Sequence, residues 1–214
     1  MSAESGMATF RDSGGLWDKY PVEKVATPEG FAANPQLVLE FYNKRREELL
    51  NASPNEGHRL LAEAERRFRV HIITQNVDNL HERAGSSNVL HLHGELMKAQ
   101  STGDPSLIYD LTAENYEINV GDKCEKGYQL RPFIVWFGEP VPKIEEAMQI
   151  VRQADILVII GTSLNVYPAA GLIRYAPFGT PTYLIDPKEV ATPQPVTHIR
   201  KGASEGVKEL LSLI

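Results

Sequence analysis

Three short apolar runs, rich in β-branched residues, constrain the fold of this chain most strongly. They occupy residues 70–74, 156–160 and 182–185. Runs of this length and composition are typical of parallel strands that are buried on both faces. Because ligands of open α/β sheets bind at the carboxyl ends of the strands, the residues that follow the runs are expected to line one crevice. Those residues include Gln75, Asn76, Gly161, Ser163 and Asp186.

Helical patterns separate these runs. Residues 77–84 and 167–175 follow the first two runs and complete the strand, turn and helix order of a βαβ unit. Asn34 followed by Pro35 predicts the start of an amphipathic helix that extends to about Leu50. A second helix is expected from Asn55 to about Arg67. Residues 98–129 are polar and interrupted by glycine and proline, which indicates an insertion outside the main sheet.

Composition limits the class of protein. The 214 residues include 22 Lys and Arg against 28 Asp and Glu, a net charge of −6, and one cysteine. This is typical of one soluble domain without disulfides, which excludes a secreted disulfide scaffold. The acidic balance gives no support for nucleic-acid binding. No apolar run approaches the roughly 20 residues of a membrane span, so we expect a cytoplasmic protein without membrane contact.

Two short segments concentrate chemically active side chains. Residues 74–81 (TQNVDNLH) place two carboxamides and a carboxylate directly after a predicted strand. Capping of the next helix explains one of these side chains but not all three. Residues 90–94 (LHLHG) alternate leucine and histidine, so on a strand both imidazoles face one side. His93 precedes a glycine that lets a ligand approach, which makes it a candidate base.

Taken in order, the motifs resemble those of sirtuins, the NAD-dependent protein-lysine deacylases, over essentially the whole chain. The motif segments are residues 2–6, 9–11, 15–17, 74–81, 93–94, 130–132, 135–139 and 161–163. The resemblance implies a single catalytic domain of the α/β class, with a Rossmann-like parallel sheet, a small inserted helical module and a degenerate zinc-module remnant. The ranges that it implies are about 1–20, 68–97 and 130–214 for the core, 21–67 for the helical insertion and 98–129 for the remnant.

The resemblance also assigns catalytic roles. His93 is implied to be the general base, which helps activate a ribose hydroxyl after the acyl oxygen has attacked the nicotinamide ribose of NAD. Asn76 and Asp78 are implied to hold the nicotinamide carboxamide, and Gln75 is implied to contact the ribose. The further cofactor-binding residues that the resemblance implies are Phe10, Arg11, Gly161, Thr162, Ser163, Asp186 and Ala203.

The implied substrate is an acylated lysine of a protein, bound as an added strand between residues 135–139 and 164–167. The substrate-binding residues on these segments are Val135, Phe137, Gly138, Glu139, Val166 and Tyr167. Tyr42 and Arg45 share one face of a predicted helix and resemble the Tyr-x-x-Arg pair of bacterial class III sirtuins, which binds the carboxylate of succinyl- or malonyl-lysine. Ala26 is implied to leave room for the longer acyl chain. We therefore expect desuccinylase and demalonylase activity beside deacetylation.

The chain departs from the family pattern in two places. Most sirtuins hold zinc with two Cys-x-x-Cys pairs, but residues 95–129 contain only Cys124, with Ser101 and Thr102 near the first expected pair and Gly127 at the spacing of the second. We therefore predict no zinc. In addition, Met1 falls inside the family's Gly-Ala-Gly-x-Ser motif, so a central strand and its glycine loop are expected to be missing.

Three alternatives to deacylation stay open at this point. The missing glycine loop motivates a catalytically inactive protein that binds NAD or ADP-ribose. Transfer of ADP-ribose to protein shares the first bond cleavage. A dehydrogenase on the same sheet lacks support, because no Gly-x-Gly-x-x-Gly follows a predicted strand.

Overall fold

The computed structural model describes residues 1–8 and 19–214 of the chain. Two 3₁₀ helices cover Ser2–Ser5 and Ala169–Tyr175. The α-helices of the described residues are α1 (Val22–Val25), α2 (Pro28–Ala33), α3 (Pro35–Asn51), α4 (Glu56–Ala64), α5 (Leu80–Ala84), α6 (Ile144–Val151) and α7 (Ala203–Leu213). The strands are β1 (Ile72–Thr74), β2 (Val89–His91), β3 (Gly94–Ser101), β4 (Ile108–Asp110), β5 (Leu130–Ile134), β6 (Leu157–Ile160), β7 (Thr182–Ile185) and β8 (Thr197–Ile199).

The three predicted parallel strands are confirmed as β1, β6 and β7. β1 pairs in parallel with β2, whereas β6, β7 and β8 form a second parallel sheet in that order. Among the described residues, no strand pairs with the outer edges of β1 and β6, and Met1 packs against the same buried cluster as Ile72 and Ile160 of these two strands. The described parallel strands therefore form two short sheets rather than one.

The predicted insertion contains more strand than its polar sequence indicates. β3 pairs antiparallel with both β4 and β5, and it runs across residue 98, where we expected the insertion to begin. β3 can begin directly after His93 because Gly94 has a φ of +86° and passes close to β5. A Cβ built at Gly94 would lie 2.1 Å from the main-chain oxygen of Phe133, so a larger residue could not occupy this position.

The helical module begins as predicted. The side chain of Asn34 accepts a hydrogen bond from the amide of Leu37, and Pro35 is the first residue of α3. Asn55 caps α4, which ends at Ala64, three residues before the predicted end. α3 packs against α2, β3 and β5, and a buried cluster that includes Tyr42, Leu80 and Trp136 joins the helical module to α5, β3 and β5. Within the described residues, no helix is both long and apolar enough to cross a bilayer.

The two helices expected directly after the strands differ from prediction. α5 begins at Leu80 rather than at residue 77, because residues 75–79 form a turn in which the Asp78 carboxylate accepts a hydrogen bond from the amide of Leu80. The segment expected at 167–175 is a 3₁₀ helix without a side-chain cap, and it begins at Ala169.

Candidate active site

The turn after β1 carries the polar side chains that the sequence singled out. Its backbone is fixed by the amide of Asn76, which donates to the hydroxyl of Thr74, and by the oxygen of Val77, which accepts from the amide of Leu96 on β3. The Asn76 side chain donates to the hydroxyl of Ser2 at 2.9 Å. Asp78 is buried, at 5% exposure, close enough to Arg45 for the charge of the carboxylate to act on the guanidinium.

His93 lies in the bend after β2 rather than on the strand, because the strand ends at His91. The Nδ1 atom of His93 is 3.2 Å from the main-chain oxygen of Gln75. A carbonyl oxygen can only accept, so Nδ1 carries the proton and Nε2 keeps its lone pair. Nε2 has no hydrogen-bond partner within residues 1–8 and 19–214. This is the arrangement that a general base requires.

Burial lowers the pKa of His93, the hydrogen bond to Gln75 offsets this only in part, and the pKa lies below the ordinary value of 6.5. A base with a lowered pKa stays neutral to lower pH. We therefore expect the acid limb of kcat/KM for deacylation to lie below pH 6.5, measured with an acylated peptide over about pH 5 to 9. An acid limb above pH 6.5 would contradict this assignment.

The ends of β1, β6 and β7 meet at one edge, as the sequence predicted. The hydroxyl of Thr162 accepts hydrogen bonds from the side chain of Gln75 at 3.4 Å and from the amide of Leu164 at 3.2 Å. Gly161, with a φ of +60°, donates its amide to the oxygen of Ile185, the last residue of β7. Ser163 is exposed at the same turn. Carboxamides and hydroxyls therefore converge from two elements that are far apart in the sequence.

This polar edge suits a dinucleotide such as NAD. Its amide and hydroxyl groups can pair with a carboxamide, with ribose and with phosphate, and Asp186 at the end of β7 can accept from ribose hydroxyls. The Asp186 carboxylate also accepts from the amide of Lys188 at 2.8 Å, which fixes its direction. A Cβ built at Gly161 would lie 2.8 Å from the amino nitrogen of Met1, so only glycine fits there.

Ala203 is the first residue of α7, and sequence reasoning missed its neighbour in space. The carboxylate of Glu4 accepts hydrogen bonds from the amides of Ala203 and Ser204, so it caps this helix. Ser2, which contacts Asn76, was also missed, although Ser2 and Glu4 both lie in the first motif of the chain. Phe10 and Arg11, predicted to contact the cofactor, lie outside the described residues.

Tyr42 and Arg45 lie on one side of α3, and both are buried at 5% exposure. The indole nitrogen of Trp136 donates to the Tyr42 oxygen at 3.0 Å. The guanidinium of Arg45 donates to Glu48 at 2.9 Å and to the main-chain oxygen of Ala8 at 3.2 Å. The structure thus places the pair together in the interior, beside residues that the sequence did not associate with them.

The surroundings of Tyr42 are positively charged. Burial raises the pKa of its phenol, and the charges of Arg131, Arg45 and Arg46 act in the opposite direction. Arg131 is paired with Glu139 through two hydrogen bonds. Arg46 is fully buried. Among residues 1–8 and 19–214, its guanidinium bonds only neutral oxygens, of Leu96 and Asn43, and its Nη2 atom has no partner.

The predicted peptide-binding segment, residues 135–139, uses several of its own amides within the chain. Val135 donates to the oxygen of His93, and Phe137 donates to the oxygen of Ala26. The Glu139 carboxylate faces inward to Arg131 and to the amide of Trp136. Within the described part of the chain, the amide of Gly138 has no partner. An added peptide strand could pair there.

The facing segment of the predicted peptide site is more open. Tyr167 is 68% exposed, and Val166 is half-buried. The oxygen of Val166 accepts from the amide of Ala170, in the 3₁₀ helix that follows. The exposed edge at Tyr167 is therefore accessible to a substrate.

The predicted zinc-module remnant is held together by hydrogen bonds. The hydroxyl of Ser101 lies 3.3 Å from the Sγ atom of Cys124 and accepts hydrogen bonds from the amides of Gly103 and Asp104. The amide and the hydroxyl of Thr102 both donate to the main-chain oxygen of Gln129, which connects the turn after β3 to the turn before β5. One thiol beside one hydroxyl does not supply the four ligands of a structural zinc site. Across residues 1–8 and 19–214, no group of three or more His, Cys, Asp or Glu side chains could hold a metal ion.

The absence of zinc stays a prediction. We expect elemental analysis of the purified protein to find no stoichiometric zinc, and we expect the melting temperature to be unchanged by EDTA, because packing and hydrogen bonds hold the two turns. One zinc per chain, or a loss of stability on chelation, would contradict this prediction.

Comparisons with known proteins give a consistent result. Residues 1–168 match the model of the Sir2 family. The chain is 63% identical to an NAD-dependent protein deacylase of Bacteroides thetaiotaomicron over 219 aligned positions, which cover 100% of this chain and 94% of the relative.

Solved structures share the fold. A Sir2 homologue in complex with NAD has a TM-score of 0.89 at 40% identity, and the match covers 99% of this chain and 84% of that chain. A Sir2 protein bound to 2′-O-acetyl-ADP-ribose and a deacetylated p53 peptide has a TM-score of 0.78 at 26% identity, with 99% and 89% of the two chains covered.

Proposed function

The chain belongs to the Sir2 family and is an NAD-dependent protein deacylase, and from this premise we propose that its substrates include succinyl- and malonyl-lysine as well as acetyl-lysine. Acylated proteins are its partners, in keeping with the peptide complex of the Sir2 structure that it resembles.

The deacylation chemistry divides among residues of the turn after β1 and the bend after β2. NAD, when bound, would supply the ribose carbon that the acyl oxygen of the substrate attacks, with nicotinamide as the leaving group. Asn76 and Asp78 orient the nicotinamide end, because a carboxamide needs a donor and an acceptor opposite it. His93 takes the proton of a ribose hydroxyl through Nε2, while its Nδ1 proton stays on the oxygen of Gln75.

The positively charged surroundings of Tyr42 support the acyl class most directly. The Tyr42 oxygen accepts from Trp136, and its own proton has no acceptor among the residues that the structure describes. A phenol that accepts one hydrogen bond can still donate another. Arg46 adds a buried charge that bonds no carboxylate in the described part of the chain, although burial lowers its pKa to about 10. A donor in a positive environment favours an acyl group that ends in a carboxylate.

Nicotinamide release tests the proposal. The purified protein is incubated with NAD and one peptide at a time, carrying a succinyl-, malonyl- or acetyl-lysine at the same position, and both nicotinamide and the deacylated peptide are quantified. We expect all three peptides to be deacylated, with higher kcat/KM for the two acidic acyl groups. Acetyl-lysine turnover alone would contradict the acyl class. Binding of NAD without release of nicotinamide would favour a catalytically inactive protein that binds NAD. ADP-ribose attached to protein would favour transfer of ADP-ribose.

A further inference from the structure

A second histidine lies beside the active-site turn and has no part in the mechanism above. His91 is the last residue of β2, and its side chain is 4% exposed. Its Nδ1 atom is 3.1 Å from the main-chain oxygen of Asn76, and its Nε2 atom is 2.7 Å from Oε1 of Glu82 on α5. His91 therefore connects the nicotinamide-binding turn to the helix that follows it.

The two partners of His91 determine its protonation state. The carbonyl oxygen of Asn76 can only accept a hydrogen bond, and an ionised Glu82 can also only accept. A ring that makes both bonds must carry a proton on each nitrogen and is therefore an imidazolium. His93 differs because it has one such partner, and its Nε2 atom is left without a proton.

The ionisation of both groups agrees with this geometry. Burial lowers the pKa of His91, but the hydrogen bond and charge of Glu82 and the oxygen of Asn76 outweigh burial, so the pKa is raised above 6.5. Burial raises the pKa of Glu82, but the hydrogen bond from His91 outweighs it, so that pKa is lowered. Both shifts favour the charged pair.

Other charged groups surround the pair. Glu82 lines a cavity of about 290 Å³ that also reaches the turn after β1. Among the described residues, the titratable groups that act on the charge of His91 or line this cavity with it are Asp78 of the turn after β1, His81 and Glu82 of α5, Glu95 and Lys98 of β3, and Asp110 of β4. His81 remains neutral near pH 7 because burial lowers its pKa, so negative groups predominate around His91.

We propose that His91 is a positioning residue of the deacylase. As an imidazolium between Glu82 and the oxygen of Asn76, it holds the turn that carries Asn76 and Asp78 in the orientation that receives nicotinamide. The proposal rests on the function proposed above. It implies that nicotinamide binding weakens as pH rises through the pKa of His91, because the neutral ring keeps only one of its two donors.

The first test uses the ligand-free protein. Imidazole carbon and nitrogen chemical shifts are followed by NMR over about pH 5 to 9, with the His91 signals assigned by their loss in His91→Gln. We expect a doubly protonated ring that titrates above pH 6.5, and a titration point that moves to lower pH in Glu82→Gln. Glu95→Gln is the matched control, because it removes one carboxylate near the ring without removing a hydrogen bond of His91. Glu95 itself accepts from Lys98, not from the ring, and a smaller shift is expected. A ring that is singly protonated at pH 6 would overturn the proposal.

The second test measures function in the same variants. We expect the KM for NAD and the inhibition constant for nicotinamide to rise about tenfold in Glu82→Gln at pH 8, and less at pH 6, with the KM for the acyl peptide unchanged. Equal KM values for NAD in Glu82→Gln and the wild type at both pH values would overturn the positioning role. If His91→Gln fails to fold, Glu82→Gln keeps the imidazole ring, and its KM for NAD still tests the positioning role. A wild-type protein that releases no nicotinamide would instead contradict the proposed function, and the NMR titration would be unaffected.

Discussion

Replacing His93 with alanine is expected to lower kcat/KM for deacylation by roughly 10²–10⁴-fold, the usual contribution of a positioned acid or base. The expectation follows from the position of one proton. The oxygen of Gln75 holds the Nδ1 proton, so the lone pair lies on Nε2, and the lowered pKa keeps the ring neutral near pH 7. Deacylated peptide, quantified at saturating NAD, gives the measurement.

A matched control separates catalysis from folding. His71→Ala removes an exposed histidine just before β1 and is expected to leave kcat/KM unchanged. The melting temperature of both variants and their affinity for NAD should stay close to wild type, because the His93 side chain makes only one hydrogen bond to the residues that the structure describes. Deacylation by His93→Ala at the wild-type rate would show that another group is the base.

The elements that the sequence predicted correctly are those with local signals. Asn34 and Pro35 fix the start of α3 by a side-chain cap and a proline at the first helical position, and both interactions lie within four residues. β7 matches its predicted range because its short apolar run ends at Ile185, directly before the polar Asp186. The sequence also predicted that polar residues at the strand ends line one edge of the sheet. The hydrogen bond between Gln75 and Thr162 confirms that two of these strand ends meet.

The parts that could not be predicted depend on contacts between distant residues. The start of α5 is delayed because Asp78 bonds the amide of Leu80, a choice that competes with a longer helix. β3 and β4 form in a polar segment because β3 pairs with both β4 and β5, not because of their own apolar pattern. The bond from Trp136 to Tyr42 joins residues 94 positions apart, and no periodicity indicates it.

The proposed acyl preference rests on a group of charges assembled from α3 and β5. Arg45 and Arg46 come from the helix, and Arg131 comes from the strand, with its guanidinium 3.5 Å above the Trp136 ring. Glu48 pairs with Arg45, and Glu139 pairs with Arg131. Arg46, in contrast, bonds no carboxylate among the described residues. A carboxylate on the substrate would balance this buried charge, which a neutral acetyl group cannot do.

Replacing Arg45, the partner of Tyr42 in the predicted carboxylate-binding pair, with methionine is expected to lower kcat/KM for desuccinylation by about tenfold or more while sparing deacetylation. A charge-assisted hydrogen bond contributes about 1.5–3 kcal/mol, and about 1.4 kcal/mol corresponds to a factor of ten. Methionine keeps the length and the apolar contacts of the side chain, so the acetyl group, which does not pair with Arg45, should lose little. Lys44→Met is the control, because it removes a positive charge from an exposed position of the same helix, and it should change neither activity. Equal losses of desuccinylation and deacetylation in Arg45→Met would mean that Arg45 stabilises the helical module through Glu48 and the oxygen of Ala8 rather than selecting the acyl group.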